Sequence, residues 1–141
     1  MRELKFRIWI KDEKRYYDES DEESYMIVPN GNVTYTSEAY EEDDVWFNDT
    51  TSATNDVIVE QYTGLKDKNG KEIYEGDIVR YECCFESYVE EVIYDDKHCN
   101  FGTIDKDEKT FSFDALISDF DVDCFEVVGN KYENLELLGG K

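Results

Sequence analysis

The side chains able to do chemistry are few and scattered. His98 is the single histidine among 141 residues, so an imidazole base or nucleophile pair would have to use it, and it sits in a polar stretch that reads as a turn. The thiols are Cys83, Cys84, Cys99 and Cys124. A zinc site from Cys83, Cys84, His98 and Cys99 is conceivable, but neighbours on a strand point to opposite faces and neither end offers a CxxC pair. The vicinal pair is expected to place one thiol in the core and the other on the surface. Carboxylates number 36 against 15 lysines and arginines; pairs suited to acid–base work arise by chance in such a chain, and none stands out. The P-loop, dinucleotide-binding and nucleophile-elbow motifs are missing. The expectation is a protein that is not an enzyme, with no catalytic residues, no metal and no cofactor.

The distribution of charge is more informative than its total of −21. Residues 1–16 carry six basic and three acidic side chains, whereas residues 17–60 carry thirteen acidic and no basic ones. Residues 61–80 balance four against four, and residues 81–141 hold sixteen acids against five bases. Free nucleic acid is excluded as a direct partner, because its phosphates are bound by replacing counterions with Lys and Arg, and most of this surface repels them. No run approaches the roughly 20 apolar residues of a membrane span, and the amino terminus lacks the apolar core of a signal peptide. A cytoplasmic location with reduced thiols is expected.

These residues must be positioned by strands. Leu4 to Ile10 alternates, with Leu4, Phe6, Ile8 and Ile10 on one face and Lys5, Arg7 and Trp9 on the other, as in a half-buried strand. Lys11–Lys14 is its turn and Arg15–Tyr17 the partner strand. Tyr25–Val28 and Val33–Thr36 form a second hairpin about Pro29-Asn-Gly31. Asn69-Gly70 predicts a two-residue type I′ turn, whose two central residues need positive φ. Glu75-Gly76-Asp77 is a turn, and Ile78–Tyr81 a strand. Tyr88–Tyr94 and Asn100–Ile104 pair across Asp95–Cys99. Asp114 is the expected cap of a short helix over Ala115–Phe120, and Cys124–Val128 the last strand. Asn48–Asn55 reads as a polar loop.

The run Gln61-Tyr-Thr-Gly-Leu-Lys-Asp-Lys-Asn-Gly-Lys-Glu-Ile-Tyr-Glu-Gly-Asp-Ile-Val79 resembles the signature of the YopX family of phage and prophage proteins. Met1-Arg-Glu-Leu-Lys-Phe-Arg-Ile-Trp9 resembles that family's opening, and Val127-Val-Gly-Asn-Lys-Tyr-Glu-Asn-Leu-Glu-Leu137 its closing motif. Ile10 and Leu135 depart from it, where the family often has Asp and Pro. The resemblance implies a small, mainly β protein of phage origin. The expected architecture is a small SH3-like barrel over residues 61–141 carrying the signature, with β-hairpins and the acidic variable segment in residues 1–60, and at most one short helix. The resemblance transfers no enzymatic residues.

Two stretches remain as candidate sites. Glu41, Glu42, Asp43 and Asp44 run directly into Val45, Trp46 and Phe47. Such a run is ordinarily a solvated, mobile segment; read as a site, it is an acidic patch facing a host protein, its carboxylates imitating phosphates and Trp46 and Phe47 acting as anchors. The alternative is a small nucleotide held between subunits, its phosphates met by Lys66, Lys68, Lys71 and Arg80, with Arg2, Lys5 and Arg7, and its base stacked on Tyr62, Tyr74 or Tyr81. A third reading is an accessory or structural phage protein. A homo-oligomer joined through exposed barrel edges and aromatics is expected.

Overall fold

The computed structural model describes residues 3–139. They form two compact units, one of residues 7–60 and the other of residues 3–6 with 61–139. The fold is mainly β, with one curled half-barrel sheet, additional hairpin sheets and one short helix, the architecture expected from the sequence. Among the described residues no helix is long and apolar enough to cross a membrane.

The first unit begins with β1 (Phe6–Ile10) and β2 (Arg15–Tyr16), paired at Trp9↔Tyr16 and Ile10↔Arg15. β3 (Ser24–Ile27) and β4 (Val33–Thr36) form the second hairpin, with Ile27 opposite Val33. β5 (Tyr40–Glu42) and β6 (Val45–Phe47) make a separate two-stranded sheet, and β7 (Thr50–Ser52) returns to β4. The polar loop expected over Asn48–Asn55 is therefore corrected in part to a strand: Thr50 and Thr51 are β-branched and suit the pleat. Val57–Glu60, the start of β8 (Val57–Lys66), closes the unit. Ile8, Val33, Ala53 and Val57 are its core, packed by Tyr17, Tyr25, Ile27, Tyr35 and Val59. The simple alternation of β1 fails, because Ile8, Trp9 and Ile10 are all buried while Leu4 and Phe6 are exposed. The supposed polar face is covered: Trp9 packs edge-on at 4.9 Å from Tyr16, whose hydroxyl donates to the buried Glu60 at 2.8 Å, where Arg7 Nε also arrives at 2.9 Å.

In the second unit the rest of β8 pairs with β9 (Glu72–Tyr74). β10 (Asp77–Cys83), β11 (Glu86–Asp95), β12 (Asn100–Ile104), β13 (Thr110–Ser112) and β14 (Phe125–Asn130) build the half-barrel in the order β13-β12-β11-β10-β14. Its core is Ile73, Val79, Tyr81, Val92, Phe113, Leu116, Val122 and Phe125, side chains that each contribute about 1.5–3 kcal/mol on burial. Helix α1 (Phe113–Ser118) is capped by Ser112, whose Oγ accepts from the Ala115 amide at 3.0 Å. This corrects the expected cap, Asp114, which lies in the first turn; Ser112 leaves β13 with extended backbone and so holds the N-cap geometry. Gly102 is required where β12 meets β13, since a Cβ there would fall 2.0 Å from the Phe111 carbonyl oxygen.

The expected turn at Asn69-Gly70 is corrected too. Lys66 pairs with Glu72, so Asn69-Gly70 lies inside a five-residue loop, and only Gly70 has positive φ, 82°. Asp67 organises that loop. Its Oδ1 accepts from the amides of Asn69 and Lys71 at 2.8 and 2.9 Å, and its Oδ2 from the Val127 amide at 3.0 Å. The two-residue turns are elsewhere, at Asp43-Asp44 between Glu42 and Val45 and at Cys84-Phe85 between Cys83 and Glu86. All four central residues have positive φ, between 52° and 69°, as a type I′ turn demands.

Candidate functional site

The β5–β6 hairpin gathers the acidic run and its aromatic neighbours into one structure. Asp43 and Asp44 form the tip, two residues whose short side chains tolerate the left-handed region. Tyr40↔Phe47 and Glu42↔Val45 share one face, and Glu41↔Trp46 occupy the other. Tyr40 and Phe47 lie 5.9 Å apart across the strands, and the Tyr40 hydroxyl donates to Asp49 Oδ2 at 3.2 Å. Desolvation first, and then the Asp49 carboxylate, raises the Tyr40 phenol above its ordinary value. Every residue of both strands is exposed, Trp46 the most among their hydrophobic side chains at 67%. A two-stranded ribbon is marginal in water without further packing, and this one leaves Val45, Trp46 and Phe47 exposed. Tyr40 joins the site only through its pairing with Phe47, and its sequence signal is an aromatic directly before Glu41.

Many other carboxylates have structural employment. Asp67 and Asp105 each accept from amides two and four residues on, at 2.8–2.9 Å, and Asp18 and Asp95 each from one two residues on. Burial alone would raise Asp67, but its three amide donors outweigh this and hold the carboxyl below the usual range. Arg80 and Lys68 likewise depress Glu126. These carboxylates are engaged within the fold, in contrast to the exposed tip of β5–β6.

Of the alternative ligand residues, Lys68, Arg80 and Tyr81 line one open pocket together with Glu82 and Glu126, while Tyr62, Lys66, Lys71 and Tyr74 lie outside it. Tyr62 is buried and lies against Tyr74 at 5.5 Å. Lys68 and Arg80 converge on Glu126 Oε2 at 3.3 and 2.5 Å, so a phosphate there would displace a carboxylate. Lys66 ends β8 and Lys71 is the last residue of the Asp67 loop. Lys5 bridges Glu3 and Glu72 at 3.0 and 2.9 Å, Arg7 belongs to the Glu60 cluster, and Arg2 lies outside the described residues. Tyr81 is buried in the core.

The four residues weighed for a zinc site lie apart. Cys83 and Cys84 precede β11 while His98 and Cys99 follow it, ten residues that span about 30 Å. His98 is exposed and its Nδ1 lies 2.7 Å from Asp95. Among the described residues no three His, Cys, Asp or Glu side chains are grouped to hold a metal ion.

One group escaped the sequence reading. Glu90 is only 3% exposed and accepts a hydrogen bond at Oε1 from the Tyr81 hydroxyl, while its Oε2 has no hydrogen-bond partner among the described residues. Desolvation raises this carboxyl despite the Tyr81 donor, and Asp105 adds to the rise; desolvation and Glu90 likewise raise the Tyr81 phenol. Period-two alternation with buried Val92 was the available signal.

A family model described as "YopX protein" matches residues 5–139. Two solved structures are similar along nearly the whole chain. The crystal structure of protein EF1440 from Enterococcus faecalis is 26% identical, with a TM-score of 0.56 over 96% of this chain and 97% of that one. The crystal structure of protein yopX from Bacillus subtilis is also 26% identical, with a TM-score of 0.56 over 98% and 99%. No curated protein matches the chain.

Proposed function

We propose, for a chain that belongs to the YopX protein family, a phage-encoded, non-enzymatic role inside the host cell, in which the β5–β6 hairpin binds a basic host protein and so interferes with it. The observation that carries this reading is the hairpin itself: four acids at and beside a two-residue tip, with Trp46 exposed opposite Glu41. The acids stand in for phosphates before a groove of Lys and Arg that ordinarily receives nucleic acid, and Trp46 and Phe47 supply desolvated contact area at its edge. Residues 17–60 contain no Lys or Arg to oppose them. Long-range attraction would speed encounter and weaken with salt, while the aromatic contacts would slow release. Self-association through exposed strand edges is part of the proposal, because an oligomer would present several such hairpins at once. Sequestration of a nucleotide has less support, since Lys68 and Arg80 already share Glu126.

The test is recovery of the tagged full chain from its bacterial host at physiological salt, followed by mass spectrometry of proteins and of small molecules released on denaturation. A stoichiometric basic, nucleic-acid-binding host protein is expected, absent when Glu41→Gln, Glu42→Gln, Asp43→Asn and Asp44→Asn are combined and reduced by Trp46→Ala. No such partner, or one indifferent to these changes, would end the reading. A released nucleotide would transfer it to sequestration.

A further inference from the structure

The β10–β11 hairpin ends in an arrangement that the strand pattern alone would forbid. Cys83 is the last residue of β10, opposite Glu86, and on a continuing strand Cys84 would face away from it. Instead Cys84 is the first residue of the two-residue turn, at φ 54°. The turn swings its side chain round, and the two Sγ atoms lie 3.4 Å apart. Cys83 is half-buried against the half-barrel core, with Sγ 4.0 Å from the Phe120 carbonyl oxygen. Cys84 is exposed, and Phe85 beside it is fully exposed. One thiol is thus anchored by packing while its neighbour is open to solvent.

The distance selects among the chemistries open to two thiols. A disulfide needs the sulfurs at about 2.04 Å and prefers Cα atoms about 4.4–6.8 Å apart, whereas adjacent residues across a trans peptide hold them about 3.8 Å apart. Oxidation would therefore close a strained ring that is readily reduced again. A single bridging atom fits better. Two bonds of about 2.3 Å, the length of a zinc–thiolate bond, drawn to sulfurs 3.4 Å apart meet at an angle of about 95°. A linear two-coordinate ion such as Ag(I) or Hg(II) needs nearly twice that angle. A tetrahedral ion needs further ligands, and no third His, Cys, Asp or Glu joins the pair among the described residues. An angle near 95° is the bite of a pyramidal trivalent centre whose remaining directions are taken by its own substituent and a lone pair.

We propose that Cys83 and Cys84 form a bidentate dithiol site for trivalent arsenicals, compounds of the class R–As=O. Both S–H bonds and the As=O bond break, two As–S bonds form, and the oxygen leaves as water carrying both thiol protons. Arsenic stays trivalent and both sulfurs keep their oxidation state, so neither oxidant nor reductant is required. The exposed Phe85 ring offers apolar surface next to the bound centre.

The test uses the reduced full chain and phenylarsine oxide. Intact mass spectrometry after desalting is expected to show one phenylarsenic per chain with loss of one water, and titration to show two thiols consumed. Ethanedithiol should remove the adduct and a monothiol should not. Cys83→Ala and Cys84→Ala should each weaken retention about 10²-fold or more, the loss of the chelate advantage, whereas Cys99→Ser combined with Cys124→Ser should leave it unchanged. Should Cys83→Ala disturb folding, mapping the adduct to the peptide containing residues 83–84 in the unmodified sequence decides the matter. An adduct on Cys99 or Cys124, one that survives Cys84→Ala, or no adduct at all would overturn the assignment.

Discussion

The acidic hairpin and the signature strands use charge in opposite ways. Between residues 61 and 80 four acids face four bases, and the stretch is absorbed by the fold: Tyr62, Asp67, Ile73, Asp77, Ile78 and Val79 are all buried. Asp67 ties the β8–β9 loop to β14, and Asp77 accepts from the Tyr74 amide at 2.8 Å. In β5–β6 no base balances the acids, and every side chain is exposed. Within this stretch the buried residues serve the fold of the second unit, whereas β5–β6 leaves its hydrophobic and acidic side chains exposed.

The largest expected break in this contrast comes from the core. Ile73 is fully buried, and Ile73→Ala should cost about 2–5 kcal/mol, whereas Trp46→Ala, at a site 67% exposed, should stay within about 0.5 kcal/mol; urea titration of both variants measures the difference. A costly Trp46→Ala would mean that the hairpin supports the fold and would remove the argument for a partner. Next comes Asp67→Ala, which leaves three backbone amides without their acceptor and should destabilise by about 1–3 kcal/mol. Asn at this position should recover part of the loss, since its oxygen still accepts, and a Gly70-led loop indifferent to both changes would refute the role given to Asp67.

The smallest effect separates two buried carboxylates by pH. Asp67 is held low and contributes stability that is lost as acid protonates it, below the usual carboxylate range. Glu90 is raised, so the native state retains a proton that the unfolded state releases. Its contribution is complete below the unfolded pKa and declines as pH rises through the folded one, with a slope of at most about 1.4 kcal/mol per pH unit. Glu90→Gln keeps an acceptor for Tyr81 and removes this titration. The variant should lose less stability than the parent as pH rises from mildly acidic to neutral. Parallel pH profiles for the two proteins would show that Glu90 does not titrate between those states.

Most elements were legible because their causes are local. Alternation marked β1 as a strand though not which side chains it buries; Pro29-Asn-Gly31 marked the β3–β4 hairpin and Gly76 a turn; and Glu41 to Phe47 announced acid beside aromatic whatever structure followed. The failures share another cause. Asn69-Gly70 has the composition of a two-residue turn, yet Asp43-Asp44 and Cys84-Phe85 hold those turns. Loop length is set by which residues pair across the strands, and pairing is fixed by burial of Ile73, Val79 and Val92 rather than by turn preference alone. Where register allows two residues, even Cys and Phe accept positive φ; where it demands five, Gly supplies the last bend and Asp67 the hydrogen bonds.

The sequence by itself determined the strand-rich class, the family likeness, the partition of charge and the place where acids meet exposed aromatics, since each depends on residue type and short-range spacing. Only the tertiary structure decided that Trp9 is buried on the face expected to be polar, that Glu90 lies in the core, and that Cys83 and Cys84 bring their sulfurs together. Those outcomes depend on what a distant segment covers and on how register places a turn, and both are settled when remote strands pack against one another.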